Sequence, residues 1–463
     1  MLSMKLSKVA VPTPVLLWFR RDLRLEDHPA LTAAVARGGA VVPLFVLDER
    51  LLAGSAPARS WYLRGALLEL DRSLRDRGNR LLVRQGDART VVPELARQIG
   101  AEVVLASDEV TPYGRRRDAA VAALLEQDGR TLELHAGLLL VEPHEVHTAE
   151  GRPYTVFTPF WRALGRVQRR ALLSAPASIP SGATSISGEP LPEAGPAPLP
   201  GLPTPGEAGA RERLQRWVNE GLAGYRADRD GLDGVGTSHL GADLHFGTLS
   251  PLQVEAAAEA SGADAEPFTR QLAWREIYHH QLHHEGRAPH VAPALVSAFR
   301  TEADDPGAVA AWREGRTGIP VVDAAMRQLA ATGWMSNRAR LVTASFLTRH
   351  LLMHPRIGER YFMRHLVDGD VANNRGGWQW TAGIGLDAQP WFRIFNPVRQ
   401  GQRFDPDGRW VRRWVPQLAT VPDRFVHAPW ESPAQVSGYP QPIVELAFGR
   451  ERALAAFKAA TQR

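Results

Sequence analysis

The order of apolar and polar positions divides the chain into two halves with different periods. Over the first 145 residues, short apolar runs rich in Val and Leu recur at 15–19, 41–46, 81–83, 103–106 and 132–134. Segments of helical length, such as 60–77 and 115–127, lie between them. Continuous apolar strands separated by helices predict a Rossmann-like parallel sheet covered by helices. From residue 208 onward the period changes. ARERLQRWVNEGLAGY, PFTRQLAWREIYHHQLHH, VVDAAMRQLAATGW and ARLVTASFLTRHLL all repeat apolar residues at three- and four-residue spacing, the period of a helix. Between the halves, 174–206 is dense in Pro, Gly, Ser and Ala and has almost no periodicity, as an extended linker does. The expected organisation is an α/β domain over 13–145, an interdomain linker over 146–206 and an all-α domain over 207–463.

Composition narrows the function classes. At 463 residues the chain is too long for one core, which agrees with two domains. The absence of cysteine excludes disulfides and thiolate metal sites. No run of about 18 uninterrupted apolar residues predicts a membrane span. The first fourteen residues carry one short apolar patch broken by Pro12 and Pro14, without the apolar core of a secretory signal, so the cytoplasm is the expected location. The net charge of +5 is carried mainly by Arg, a side chain suited to bidentate phosphate contacts. Nucleic acid is therefore a reasonable partner, although Ala, Arg, Gly and Pro enrichment also follows from a GC-rich genome. On composition alone the coding bias is the stronger reading.

Several segments carry candidate chemistry. No GxGxxG follows the first strand, so the usual dinucleotide fingerprint is missing. GTSHLGADLHFGTLS (236–250) sets the hydroxyls of Thr237 and Ser238 beside Gly236. Such a turn before a helix can bind phosphate by backbone amides, or can be an ordinary N-cap loop. QLAWREIYHHQLHH (271–284) holds four His at i,i+4 spacing but lacks the Glu of a zinc-hydrolase helix. A packing or solvated cluster is the better reading, and no metal is expected. In the same segment, Trp274 beside Arg275 suits a nucleic-acid site, or else a core Trp with a surface ion pair. In GWMSNRARL (333–341), Asn337 and Arg340 share a helix face and Arg338 projects elsewhere. DGDVANNRGGWQW (368–380) packs two acids, two adjacent Asn, a Gly pair and two Trp into thirteen residues. Trp378 and Trp380 stand two apart and point different ways on a helix, one toward a buried cofactor and one toward a second ligand. No nucleophile elbow, Walker loop or zinc signature supports hydrolytic chemistry.

Taken together and in this order, the motifs resemble the photolyase/cryptochrome family. WFRRDLRLEDHPAL (18–31) looks like the family's opening strand and turn, and WFRIFNPVRQGQRFDPDG is similar to its C-terminal signature. The resemblance covers nearly the whole chain and is nearest to the bacterial class I cyclobutane pyrimidine dimer photolyases. It implies an antenna-binding α/β domain and a helical domain holding FAD. By motif, Tyr225, Thr237, Ser238 and Leu240 match residues around the FAD phosphates and ribityl chain. Gly241 stands where the family often has Ser. Asp368, Gly369 and Asp370 match the acidic turn at the flavin ring, Arg340 the partner of Asp368, and Asn374 the residue beside flavin N5. Trp274 and Trp380 match aromatics that contact a flipped pyrimidine pair, and Arg229, Asn337, Arg338 and Gln400 match DNA contacts. The resemblance implies light-driven repair of damaged DNA by a monomer. A cryptochrome-type photoreceptor is the competing reading, and a long low-complexity tail, its signature, is absent after residue 407. A second chromophore, folate or deazaflavin, is implied near 106–118.

Three departures from the family pattern stand out. Gln271 replaces the Glu of typical bacterial dimer photolyases, so it offers a hydrogen bond but no carboxyl proton or negative charge. Leu341 stands where Met is common. Gln271 also matches (6-4) photolyases, yet Asn337 and Leu341 occupy positions where (6-4) repair uses His. Finally, the usual chain of three tryptophans begins at Trp378, but the next two positions are Pro355 and Glu302. Neither is an aromatic relay. Trp334 and Trp391 are the candidates for another route.

Overall fold

The computed structural model describes residues 13–462 except 183–185, 187, 192, 285–292, 389, 391 and 435. Five parallel strands, β1 (Val15–Phe19), β2 (Val41–Leu47), β3 (Leu82–Gln85), β4 (Val103–Ser107) and β5 (Thr131–His135), form one sheet in the order β3-β2-β1-β4-β5. Val15 of β1 pairs with Val41 on one side and Val103 on the other. All five residues of β1 are buried. Val15, Leu17 and Phe19 join one core cluster, Leu16 and Trp18 another. Helices therefore cover both faces, as the two-sided apolar pattern predicts. The crossovers include Pro57–Arg75, Ala88–Ile99 and Pro112–Gln127.

From Glu207 onward the described residues are helices and loops. The predicted segments appear as Glu207–Arg216, Glu266–His283, Pro320–Thr332 and Asn337–Ser345. Two of them, Glu207–Arg216 and Asn337–Ser345, continue through π-helical turns, at Trp217–Gly221 and Phe346–His350. The helix Val371–Ala382 packs against Glu266–His283, Asn337–Ser345 and Pro355–His365, and the site forms among these four.

The stretch 146–206 is not uniformly irregular. The helix Phe157–Leu164 lies inside it and packs Phe157, Phe160 and Leu164 into the helical core. Phe157, Phe160, Trp161 and Leu164 recur at helical spacing, a signal masked by the Pro-rich sequence that follows. Beyond it, the chain runs along the sheet domain, with bridges from Val41 to Ser181 and from Val83 to Glu189.

The opening motif acts as a clamp between the domains. Arg24 is fully buried and donates to the backbone carbonyls of Asp27, Gly137 and Gly247. Arg59, from the helix Pro57–Arg75, donates to the carbonyls of Met363 and Leu366 at 2.6 and 2.9 Å. Gly247 has φ +67°, and a Cβ there would lie 1.9 Å from the Arg21 carbonyl. Only glycine allows that approach.

Candidate functional site

A cavity of about 500 Å³ opens in the helical domain, a size within the range of cofactor pockets. Four helices and the turn before the last of them supply its walls. From Glu266–His283 come Gln271, Trp274, Arg275 and Tyr278; from Asn337–Ser345 come Asn337, Arg338, Arg340 and Leu341. The turn 368–370 and the helix Val371–Ala382 supply Asp368, Gly369, Asp370, Asn374, Trp378 and Trp380. Tyr225, Arg229, Asp230 and Thr237 complete the rim.

The acids of the turn are held in different ways. Arg340 Nη2 lies 2.8 Å from Asp368 Oδ2 and 3.1 Å from Oδ1. Asp370 caps the helix Val371–Ala382, accepting from the Asn373 amide through Oδ1. Its Oδ2 lies 2.5 Å from Arg21 Nη2 and 3.5 Å from His279 Nε2. Burial alone would push this carboxyl up, but His279 and Arg21 hold it well below the usual carboxylate range. His245 approaches the same oxygen at 3.8 Å, and burial pushes its imidazole down to about 4. Gly369 passes against Arg59, whose Nη1 would meet a Cβ at 2.4 Å. The turn is thus gripped by two arginines of the sheet domain.

Asn374 donates from Nδ2 to the Glu359 carbonyl at 2.9 Å. That bond identifies which end of the amide is nitrogen. Trp378 is 3 % exposed and packs between the cavity and the core residues Trp312 and Phe362. A Cβ on Gly358 would lie 1.9 Å from its ring, so the facing helix must have glycine there. Trp380 is half-buried and also lines the cavity. Trp274 stacks flat on Phe157 at 4.0 Å and tilts against Tyr278 at 5.6 Å.

Several sequence expectations change. The Thr237 amide is not open to a phosphate: it donates to the Gly234 carbonyl at 3.1 Å, and its hydroxyl donates to the same oxygen at 2.7 Å. Gly236 instead allows close approach to Asp228, whose Cβ would lie 2.4 Å from a new Cβ. A Ser is not accommodated at Gly241 without movement, because a Cβ would stand 2.6 Å from Asp368 Oδ2. Leu240 is buried in the core, and Ser238 lines a second cavity of about 640 Å³ together with Trp217, Trp334 and Trp410. Arg338 turns into the cavity alongside Arg340 and pairs with Asp230 at 2.8 Å. Gln400 sits beside it, with Oε1 3.4 Å from Arg338 Nη1. Arg275 and Glu276 form a buried pair, not a surface one. His279 and His280 are buried packing residues, and among the described residues no group of three or more His, Asp or Glu is placed to hold a metal.

Sequence reasoning missed Arg21, Arg59, Asp230, Tyr278 and Phe157. Arg21 lay in the quoted RRDLR motif, but nothing local signals that it reaches a turn nearly 350 positions away. In 106–118, Glu109 is buried near Arg21 and accepts from the Val110 and Thr111 amides. Trp18 lies between Arg20 and Arg117, each 4.7 Å from its ring. Of the two alternative-route tryptophans, Trp334 packs against His239 at 4.2 Å; Trp391 lies outside the described residues.

Known proteins resemble this chain over nearly its whole length. Residues 15–180 match the DNA photolyase family model, and 268–459 match the FAD binding domain of DNA photolyase. The deoxyribodipyrimidine photo-lyase of Agrobacterium fabrum is 39% identical over 475 residues, spanning 96% of this chain and 98% of its own. The class III photolyase structure from Agrobacterium tumefaciens superposes with a TM-score of 0.91 at 37% identity, over the full length of both chains. A Synechocystis sp. PCC6803 cryptochrome superposes with a TM-score of 0.87 at 30% identity, over 96% of this chain and 99% of its own.

Proposed function

The chain belongs to the photolyase/cryptochrome family, and from that membership we infer an FAD-dependent, blue-light-driven enzyme that repairs cyclobutane pyrimidine dimers in DNA. The observation that carries the reading is a single cavity that joins two kinds of wall. Its floor has the Arg340–Asp368 pair, the oriented Asn374 amide and Trp378. Its rim has Trp274, Trp380 and the arginines Arg229 and Arg338. A floor of fixed charges and amides suits a flavin, and an aromatic rim beside cations suits an extruded pyrimidine pair.

The donor set fits FAD. The Asn374 oxygen can accept at a ring N–H, while its nitrogen is tied to the Glu359 carbonyl. Asp368 is positioned by Arg340, which bridges both of its carboxylate oxygens. Asp370 acts chiefly as the N-cap and interdomain anchor that fixes the turn. Tyr225 and Thr237, which line the cavity, would border the phosphate and ribityl end, with Thr237 offering an acceptor since its proton is engaged, and Ser238, Leu240 and Gly241 would support that end from the adjoining turn. A reduced flavin held there would supply light-driven one-electron donation to the dimer. The protein orients the lesion: Gln271 donates to a pyrimidine carbonyl, and Trp274, stiffened by Phe157, presents a flat face. Stacking of about 1–3 kcal/mol per base helps offset unstacking. Arg229, Arg338, Asn337 and Gln400 hold the backbone around the extruded pair.

A second chromophore, folate or deazaflavin, serves as antenna, and the protein acts as a monomer in the cytoplasm. No described helix is long and apolar enough to cross a membrane. The test is light-dependent loss of dimers from a defined oligonucleotide with the flavin reduced.

A further inference from the structure

Trp378 has aromatic neighbours that the positions of Pro355 and Glu302 conceal. Pro355 is the first residue of the helix Pro355–His365, and Glu302 lies in a surface turn paired with Arg313 at 2.7 Å. Neither ring nor cation there offers an oxidisable side chain. On the side of Trp378 away from the cavity stands Trp312, from the helix Pro306–Arg313. It is fully buried, its ring centroid is 6.1 Å from that of Trp378, and the two planes meet edge to face at 75°. Tyr361 follows, 5.5 Å from Trp312 at 65°. Such centroid spacings are van der Waals contact for aromatic rings, so each transfer crosses no intervening atoms. Tyr361 is half-buried, donates its hydroxyl to the Arg313 carbonyl at 2.8 Å and stacks on His365 at 4.1 Å. Phe362 touches both tryptophans, but a benzene ring is too hard to oxidise to carry a charge and serves only as packing.

We infer that Trp378, Trp312 and Tyr361 form an electron relay from the cavity wall to the protein surface, replacing the tryptophan route that this sequence lacks. The inference rests on the flavin assignment above. Trp378 gives one electron to the light-excited oxidised flavin and becomes a radical cation. Trp312 refills Trp378 and carries the positive charge away from the cavity. Tyr361 refills Trp312 and, because an oxidised phenol is strongly acidic, loses its hydroxyl proton to solvent as a neutral radical. An external thiol then returns one electron and one proton to Tyr361. The proton loss matters because it makes the return of the electron slow, which keeps the flavin reduced.

The relay is tested by flash photolysis and electron paramagnetic resonance on the full chain carrying oxidised FAD. The native protein should show a long-lived neutral tyrosyl radical. In Tyr361→Phe that signal should vanish and a shorter-lived tryptophan radical should remain. In Trp312→Phe, charge separation at Trp378 should still occur, but it should recombine, and steady photoreduction with a thiol should slow by about tenfold or more. A tyrosyl radical persisting in Tyr361→Phe, or native photoreduction in Trp312→Phe, would overturn the inference. If the buried Trp312→Phe change prevents flavin binding, Tyr361→Phe decides the question, since it removes only one half-buried hydroxyl. Dimer repair by the native protein reduced with dithionite needs no relay, so failure there counts against the proposed function alone.

Discussion

Arg21, two residues beyond the first strand, places its guanidinium 2.5 Å from the carboxylate of Asp370, in the helical half of the chain. The pair ties the sheet domain to the turn that carries Asp368, and so makes the cavity floor depend on both domains. The carboxylate is 5 % exposed and Arg21 is 22 % exposed. Removing one partner of a buried pair leaves an uncompensated charge.

Arg21→Gln should therefore destabilise the protein by about 3 kcal/mol, the lower end of the buried-pair range, because Arg21 retains some solvent. It should also weaken retention of FAD. Urea unfolding and flavin content after gel filtration measure both. Arg21→Lys, which keeps the charge but loses the planar geometry, should recover part of each. Native stability in Arg21→Gln would show that the domains are held by packing alone.

Gly358→Ala places a Cβ 1.9 Å from the Trp378 ring. The ring must move toward the cavity, because Trp312 and Phe362 occupy its other sides. The expected cost is about 1–3 kcal/mol of overpacking, together with lower flavin content. Trp378→Phe should instead keep the fold and abolish the first electron transfer. Unchanged photoreduction kinetics in Trp378→Phe would exclude it as the first donor.

Asp230 tempers the charge of Arg338 at the rim, at 2.8 Å and 39 % exposed. Asp230→Asn should tighten DNA binding and steepen its salt dependence. Arg338→Gln should weaken binding on every sequence and lower the salt slope by about one unit. Fluorescence anisotropy with dimer-bearing and intact duplexes from low to moderate salt reads both slopes. Identical slopes in the two variants would remove Arg338 from the DNA contact set.

Acid should destabilise the fold earlier than its carboxylates alone would dictate. Burial holds His245 down to about 4 and His280 down to about 3, whereas both titrate near 6.5 when unfolded. Below pH 6.5 the unfolded chain binds protons that the folded chain does not. Stability is lost as pH falls through that window, by about 1.4 kcal/mol per unit for each group. The depressed carboxyl of Asp370 adds loss of the same sign at lower pH. Glu142 and Glu276, which burial raises to about 7, take up protons in the folded chain over the same window and offset part of that loss. The thermal midpoint of His280→Gln should therefore fall less than that of the native chain between pH 7 and 4, and an identical pH dependence in the two proteins would contradict this account.

The sheet was legible because strands buried on both faces leave unbroken apolar runs, as Leu16 and Leu17 do on opposite sides of β1. The motif residues of the cavity were legible because they cluster in sequence within 368–380 and 271–278. What escaped the sequence depends on approach between distant segments. Arg21 and Arg59 meet the 368–370 turn only after the domains dock. The crowding of Gly241 by Asp368 is invisible until both are placed. Trp312 was overlooked because it is separated from Trp378 by three helices' worth of sequence, and its own neighbours look like ordinary core.

The central claim is that this cavity uses light to split pyrimidine dimers. The most direct test incubates the FAD-loaded, dithionite-reduced protein with an oligonucleotide containing one cyclobutane thymine dimer, in blue light and in darkness. Repair is read by chromatography of the intact strand. The account predicts loss of the dimer in light, none in darkness, and a lower yield with Trp274→Ala. Persistence of the dimer under blue light, with flavin reduced and DNA bound, would contradict it.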